Sequence, residues 1–309
     1  MDTSRDVVTG VMLNWRDTSG TQDAVQRLLA DPIVSFLVVV DNESDGSLRA
    51  ALAHWGPDRL EILEQADNLG FSSGMNVGLR RALELHPSTP ILAINNDAHM
   101  ANRASLKELL NALNATSKPA VVAPRIVLPD GSAGSTGGRL YMRSLRTSDD
   151  LPVGSPPDYL TWACVLIHPD VFRQHGLLSE KFFMYWEDVE FGLRLKRSGV
   201  PLIVVHTSAV VHAVSSSHGR AGVRIQLYSA LGLVRLAILV GPAAIPGAVY
   251  RIAGRMASAL SHGDIGAAKA ILAGVRVGLF MSTDDSAVAA LKRSGHLNSE
   301  ATARGKASS

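Results

Sequence analysis

Apolar and polar positions follow two rhythms along the first part of the chain. Residues 7–13 (VVTGVML), 35–40 (SFLVVV), 60–63, 90–94 and 120–123 are short runs of Val, Leu, Ile and Ala bounded by polar residues. That is the pattern of strands buried on both faces. Residues 18–29, 77–85 and 105–113 instead place apolar side chains at helical spacing. Strand–helix alternation of this kind predicts an α/β domain with a mostly parallel sheet covered by helices. In such sheets, ligands sit beyond the carboxyl ends of the strands. Asn14, Asp41 and Asp97 each close a predicted strand and are expected to meet at one edge. A lone Asp or Asn there is commonly a cap or turn former, so the weight lies on the three together. Residues 68–76 (NLGFSSGMN) read as a glycine-containing loop leading into the helix 77–85.

The rhythm breaks at 130–159, rich in Gly, Ser, Pro and Asp with Arg139, Arg143 and Arg146. A long irregular connection is predicted, either a flap over a substrate or a surface excursion. Residues 160–167 read as a buried strand, and His168-Pro169-Asp170 opens a short helix. Two β-like runs, 202–205 and 209–211, lead to His206 and His212, and 215–220 is a polar loop. From 221 to about 290 the pattern is helical, with Arg224, Arg235, Arg251 and Arg255 in its first half. A basic, apolar helical segment suits a membrane surface, or packing on the main domain or on a second subunit. The expected division is a domain over 1–220, a helical region over 221–294 and a disordered tail over 295–309.

Residues 182–194 (FFMYWEDVEFGLR) run aromatic bulk directly into two acids. Carboxylates against an apolar wall lose solvation, and their pKa rises towards the range of a general base. At 100° per residue, Glu187 falls on a charged face with Glu190, Arg194 and Arg197. Asp188 falls beside Phe191 and Leu195. Asp188 is therefore the candidate base and Glu187 a hydrogen-bonding or salt-bridging partner. The helix dipole opposes this by favouring first-turn anions, and the plain alternative is that both are helix-start acids.

Composition narrows the classes. The 309 residues carry a net charge of +2, 46% hydrophobic and 19% charged residues, and a single cysteine, Cys164. Near-neutral charge argues against nucleic acid as a partner, and one cysteine suits a reducing compartment. No secretory leader is expected from the first ten residues. The charge-free stretch 236–250 falls short of the roughly 20 residues that span a bilayer. Asp97, His99 and His212 are candidate ligands for a hard divalent ion such as Mg²⁺ or Mn²⁺. Zinc lacks paired ligand spacing, and no Walker, GxGxxG or G-x-S-x-G pattern is present.

Six segments occur in a telling order: VVVDNESDGS, NLGFSSGMNVGLRRA, ILAINNDAHM, WACVLIHPDVF, FFMYWEDVEFGLRLKRSG and VVHAVSSSHG. Over residues 7–219 the chain resembles the family 2 glycosyltransferases of GT-A fold, most closely the rhamnosyltransferase and galactofuranosyltransferase-like branch of bacterial cell-wall assembly. The resemblance implies inverting transfer from a nucleotide-diphosphate sugar to an acceptor hydroxyl. dTDP-rhamnose is the first donor expected and a UDP-sugar, UDP-galactofuranose, the next. The acceptor implied is a polyprenyl-linked or cell-envelope glycan at the inner membrane face, reached from the cytoplasm. Carried over by position, Asn14, Asp41, Asn42, Asn68, Gly70, Phe71, Asn76 and Asn96 would line the nucleotide and donor site. Asp97 and His212 would hold the metal, Asp188 would be the catalytic base, and Trp162, Trp186 and Glu187 would shape the acceptor site.

The chain departs from the family in three places. The acidic element is reduced to NNDAH, Ser179 stands where relatives often have an acid, and Trp162 where they often have a small residue. The first departure motivates an alternative, a non-catalytic GT-A scaffold subunit that binds nucleotide sugars. A nucleotidyltransferase with Arg16 as its phosphate ligand is a third reading. Oligomeric state, including a homo-oligomer, is left open.

Overall fold

The computed structural model describes residues 6–149, 151, 155–213, 222–282 and 284–297. In chain order the first half runs β1 (Val8–Asn14), α1 (Thr18–Leu29), β2 (Val34–Asp41), α2 (Ser47–Ala51), β3 (Leu60–Glu64), α3 (Gly70–Leu85), β4 (Ile91–Ile94), β5 (Ala98–Met100), α4 (Ser105–Asn114) and β6 (Val121–Val127). Then come β7 (Gly137–Tyr141), β8 (Arg146–Ser148), β9 (Tyr159–Leu160), β10 (Cys164–Ile167), α5 (Pro169–His175), α6 (Glu187–Arg197) and β11 (Leu202–His212). Four helices end the described chain: α7 (Arg224–Val240), α8 (Ile245–Ser261), α9 (Ile265–Phe280) and α10 (Ala287–Arg293).

Eight strands form one sheet in the order β3-β2-β1-β4-β10-β6-β11-β5. β1, β2, β3 and β4 run parallel, as do β6 and β11, while β10 and β5 run antiparallel to their neighbours. Period-two burial explains the two cores. Leu37 and Val39 of β2 join Val25, Leu28 and Leu110 on one face. Phe36 and Val38 join Met75, Leu79 and Phe191 on the other. A sheet apolar on both faces needs helices on both, and α1 and α4 cover one side while α3, α5 and α6 cover the other.

Several sequence expectations change at this level. Residues 70–76 are not loop but the first two turns of α3. Their Gly and Ser content is a poor helix signal, yet packing demands it. A Cβ on Gly74 would lie 2.8 Å from Leu13 Cδ1, and one on Gly78 2.6 Å from Val11 Cγ1. The stretch 160–167 is split between β9 and β10, and the runs 202–205 and 209–211 are one strand with a register shift between them. The irregular segment 130–159 carries the small sheet β8-β7-β9. The polar loop 215–220 and the tail beyond 297 lie outside the described residues.

The C-terminal helices are built into the rest. α7 and α9 pack closely because Gly274 lets Leu227 O approach to 2.2 Å of where a Cβ would stand. Phe182 is buried with Leu233 and Leu236 of α7, and Phe183 with Leu227 and Leu231. Overpacking a filled contact typically costs about 1–3 kcal/mol. Gly274→Ala should therefore lower stability by about that amount, read as a fall in the denaturant midpoint without a change in slope.

Candidate functional site

The carboxyl edge of the sheet carries a hydrogen-bonded chain of side chains. Asn96 Nδ2 donates to Thr21 Oγ1 (2.9 Å), Thr21 Oγ1 to Asn14 Oδ1 (2.7 Å), and Asn14 Nδ2 to Asp41 Oδ1 (2.6 Å). Asn14 and Asp41 are register partners at the ends of β1 and β2. Both are buried, 2% and 3% exposed. They do not line the cavity, and the structure places them beneath it. Beside them, Asn42 Oδ1 accepts from Leu69 N (2.8 Å), and its Nδ2 donates to Asn68 Oδ1 and Gly70 O (both 3.1 Å). This clamp fixes the start of α3.

Above that edge lies a cavity of about 370 Å³. Its walls include Asn42, Asn68, Gly70, Phe71 and Asn96 on one side, and Trp162, Trp186, Glu187 and Asp188 on another. Asp97 and His212 also face it. Asn76 does not. Its side chain donates to Leu178 O (2.9 Å) and Glu180 Oε1 (3.1 Å) and accepts from Leu178 N (3.1 Å), tying α3 to the loop before the acids. An Asn five residues beyond Phe71 on a helix faces well away from it, which the loop reading of 68–76 could not show.

The acids reach the cavity through a strained strap, residues 182–186. Phe71 N donates to Phe183 O at 2.7 Å, and Gly70, at φ +72°, lets that carbonyl pass. Phe183 stacks on Tyr228 with ring centroids 4.2 Å apart. Tyr185 and Trp186 then take left-handed φ values of 71° and 73°, each a cost of about 1–2 kcal/mol for a residue with a Cβ. Gly232 of α7 holds them there, since a Cβ on it would stand 2.8 Å from Tyr185 O and from Trp186 Cδ1. Two left-handed residues turn the chain so that α6 begins with Glu187 and Asp188 at the cavity wall.

Glu187 corrects the helical-wheel expectation. It is 7% exposed, its Oε2 has no hydrogen-bond partner among the described residues, and it makes no ion pair. Arg194 is taken by Glu190 (3.0 Å) and by the carbonyl of Leu177. Tertiary packing of Tyr185 and Trp186 over the first turn removes the solvent that the wheel assumed. Burial pushes both carboxyls up, Glu187 to about 8, with the negative charge of Asp188 adding to its rise, and Asp188 to about 6. Two backbone amides, including Val189 N at 2.8 Å, moderate the shift at Asp188. Burial and the closeness of the two groups thus oppose simultaneous ionisation of both carboxyls.

Asp97 Oδ1 lies 3.1 Å from His212 Nε2. β5 and β11 bring them together, since His212 pairs with Ala98. His99, the other histidine candidate, is one residue further along β5 and lines a separate cavity with Arg27 and Arg103. A carboxylate oxygen and an imidazole nitrogen at this spacing fit a divalent ion that takes its remaining ligands from water and phosphate. No set of three or more acidic, His or Cys ligands occurs among the described residues.

Sequence reasoning missed Arg224 and Tyr228, which line the cavity from α7. Nothing in an apolar helical run marks them; only the docking of α7 does. Asn95, Thr161 and Tyr185 were also missed, although each adjoins a residue that was singled out.

The sheet order, the flanking helices and the cavity at the carboxyl edge define a GT-A-like glycosyltransferase fold. Among solved structures, the chain is similar to the mannosyltransferase PcManGT from Pyrobaculum calidifontis, determined in complex with GDP-Man and Mn²⁺ (TM-score 0.56, 16% identity, 88% of this chain and 87% of that one). It is also similar to S. aureus TarS 1-349 (TM-score 0.52, 12% identity, 75% and 69%). No family model matches. Among curated proteins, it is 29% identical over 206 residues to the low-salt glycan biosynthesis hexosyltransferase Agl10 of Haloferax volcanii, covering 64% of each chain. It is 25% identical over 214 residues to the N-acetylglucosaminyl-diphospho-decaprenol L-rhamnosyltransferase of Mycobacterium tuberculosis (60% of this chain, 69% of that one). It is 22% identical over 198 residues to the dTDP-rhamnosyl transferase RfbF of Shigella flexneri (63% and 65%). The match thus spans just under two thirds of the haloarchaeal protein. These relatives bear out the resemblance to glycosyltransferases, rhamnosyltransferases among them.

The raised Glu187 pKa has a stability consequence with a definite sign. Between the ordinary carboxyl value and about 8, the folded chain binds a proton that the unfolded chain has released, so stability falls as pH rises. Glu187→Gln removes that loss. The variant should melt higher than the parent at pH 9 and differ less at pH 5, read by calorimetry at both pH values.

Proposed function

We propose that the chain is an inverting glycosyltransferase of family 2. It moves a sugar, rhamnose in the first instance, from a nucleotide-diphosphate donor to a hydroxyl of a cell-envelope or lipid-linked glycan. The observation that carries this is Asp188. It is a partly exposed carboxyl at the wall of a cavity that Asp97 and His212 also line, and burial raises its pKa towards the range of a general base. The names of two relatives support the donor and acceptor classes: one is an N-acetylglucosaminyl-diphospho-decaprenol L-rhamnosyltransferase, the other a dTDP-rhamnosyl transferase.

The chemistry follows from placement. Asp188 takes the proton of the acceptor hydroxyl as its oxygen bonds to the anomeric carbon, and the nucleoside diphosphate leaves from the opposite face. A raised pKa makes Asp188 a stronger base than a solvated aspartate while leaving it ionised. Glu187, holding its proton, adds no second negative charge beside the attacking oxygen. Trp186 would offer a partly exposed apolar surface to a sugar ring, with the buried Trp162 behind the cavity wall, and together they would keep water from the attacked carbon. Asn42, Asn68 and the first turn of α3 would border the nucleotide. Asp97 and His212 would hold Mn²⁺ or Mg²⁺, which when bound offsets charge on the leaving diphosphate. The cytoplasmic side of the membrane is where such donors and a lipid-linked acceptor would meet, and no described helix is long and apolar enough to cross a membrane.

Asp188→Asn should lower turnover on the order of 10²–10⁴-fold while donor-induced thermal stabilisation stays at the parent's level. Parent turnover should fall about tenfold per pH unit below about 6. A variant that turns over normally would remove Asp188 from the role. Donor binding by the parent without any transfer or hydrolysis would favour the scaffold reading, which the single acid of Asn95-Asn96-Asp97 motivates.

The metal site has its own test. At a hundred times its Kd, a donor should stabilise the parent by about 2.7 kcal/mol. With Mn²⁺ present, Asp97→Asn and His212→Ala should each lose most of the metal-dependent part of that stabilisation. Equal stabilisation with and without metal in the parent would discard the site but keep the transferase.

A further inference from the structure

The helices α8 and α9, joined by the turn 262–264, pack on each other and turn an unusual face outward. On α9, Ile265, Leu272 and Leu279 recur every seven residues and are 52%, 63% and 58% exposed. Lys269 and Arg276 stand between them on the same face, both exposed. Phe280 ends the stripe 81% exposed, and on α8 Val249 and Tyr250 are 59% and 80% exposed. Neither helix contains an acid, and the one acid between 222 and 282, Asp264, caps α9 by accepting from Ala267 N. Large aromatic and aliphatic side chains interleaved with basic ones, with no acid among them, match an interface between anionic headgroups and acyl chains. A second copy of this chain would oppose Lys269 and Arg276 with another basic face and no counter-charge.

This face is fixed to the pocket wall. Arg251 of α8 lies over the Trp186 ring, 5.7 Å from its centroid, and α7 seats Tyr185 and Trp186 through Gly232. We infer that the outer face of α8 and α9 docks on an anionic lipid surface, and that docking presents the acceptor side of the cavity to a lipid-linked substrate. The second half of this inference rests on the function proposed above; the first half does not.

The experiment uses the full chain with sedimenting vesicles of phosphatidylcholine alone or mixed with phosphatidylglycerol. The chain should bind the mixed vesicles and not the neutral ones. Leu272→Asp and Phe280→Asp should each lower that partition by about tenfold or more, with unchanged circular dichroism and melting. Lys269→Gln/Arg276→Gln should weaken it and flatten its salt dependence. In parallel, the Asp variants should keep the parent's KM for a short water-soluble acceptor and raise it only for the vesicle-borne one. Absence of binding to mixed vesicles would overturn the inference. So would equal binding to both vesicle types, or a concentration-dependent dimer that Phe280→Asp disperses. Vesicle binding by a parent that transfers no sugar to any acceptor would fail the proposed function and leave lipid docking standing.

Discussion

The strap of residues 182–186 is the constraint on which the site depends. Phe182 and Phe183 are each 1% exposed and enter two different apolar clusters. They anchor a segment whose next residues, Tyr185 and Trp186, hold left-handed backbone angles. Strain of that kind persists only where packing over-determines it. Here it is wedged between Gly70 of α3 and Gly232 of α7, where no side chain fits.

That geometry sets the electrostatics. Acids at a helix start are ordinarily stabilised as anions by the helix dipole, and the same position in solvent would hold both carboxyls low. Burial outweighs the dipole at Glu187, which has no hydrogen-bond partner for Oε2, and the second negative charge adds to the effect. Asp188 keeps hydrogen bonds from backbone amides, which oppose its rise. The two adjacent carboxyls therefore have unequal surroundings, with the ionised form less supported at Glu187 than at Asp188. The Asp97–His212 pair, which lines the same cavity, derives from a different constraint, the antiparallel pairing of the short edge strand β5 with β11.

The C-terminal helices link these features to the outside. α7 forms a cavity wall through Arg224 and Tyr228, supports the strap through Gly232 and packs against α9 through Gly274. The basic character of this region, read as scattered arginines along the chain, resolves into two uses. Arg235 and Arg255 turn inward, to Gly278 O and Met281 O, and to Ser229 and Gln226. Lys269 and Arg276 remain on the outer face.

Local pattern was enough to determine the sheet-forming runs, because strands buried on both faces leave unbroken Val/Ile/Leu segments, and enough to single out Asp188, because aromatic bulk next to acids is a local signal. It also put Asn14, Asp41 and Asp97 at one edge, since strand ends are set by where apolar runs stop. It misread 68–76 as loop, because helix propensity is weak and close packing of Gly74 and Gly78 on β1 decides the matter. It set Glu187 on a charged face, because a helical wheel contains no neighbouring chain to remove solvent. Asn76 against the cavity, His99 against His212, and the contribution of Arg224 and Tyr228 were likewise decided by tertiary structure. Each depends on which face of one element meets another far along the chain, and residue spacing within an element carries no information about that meeting.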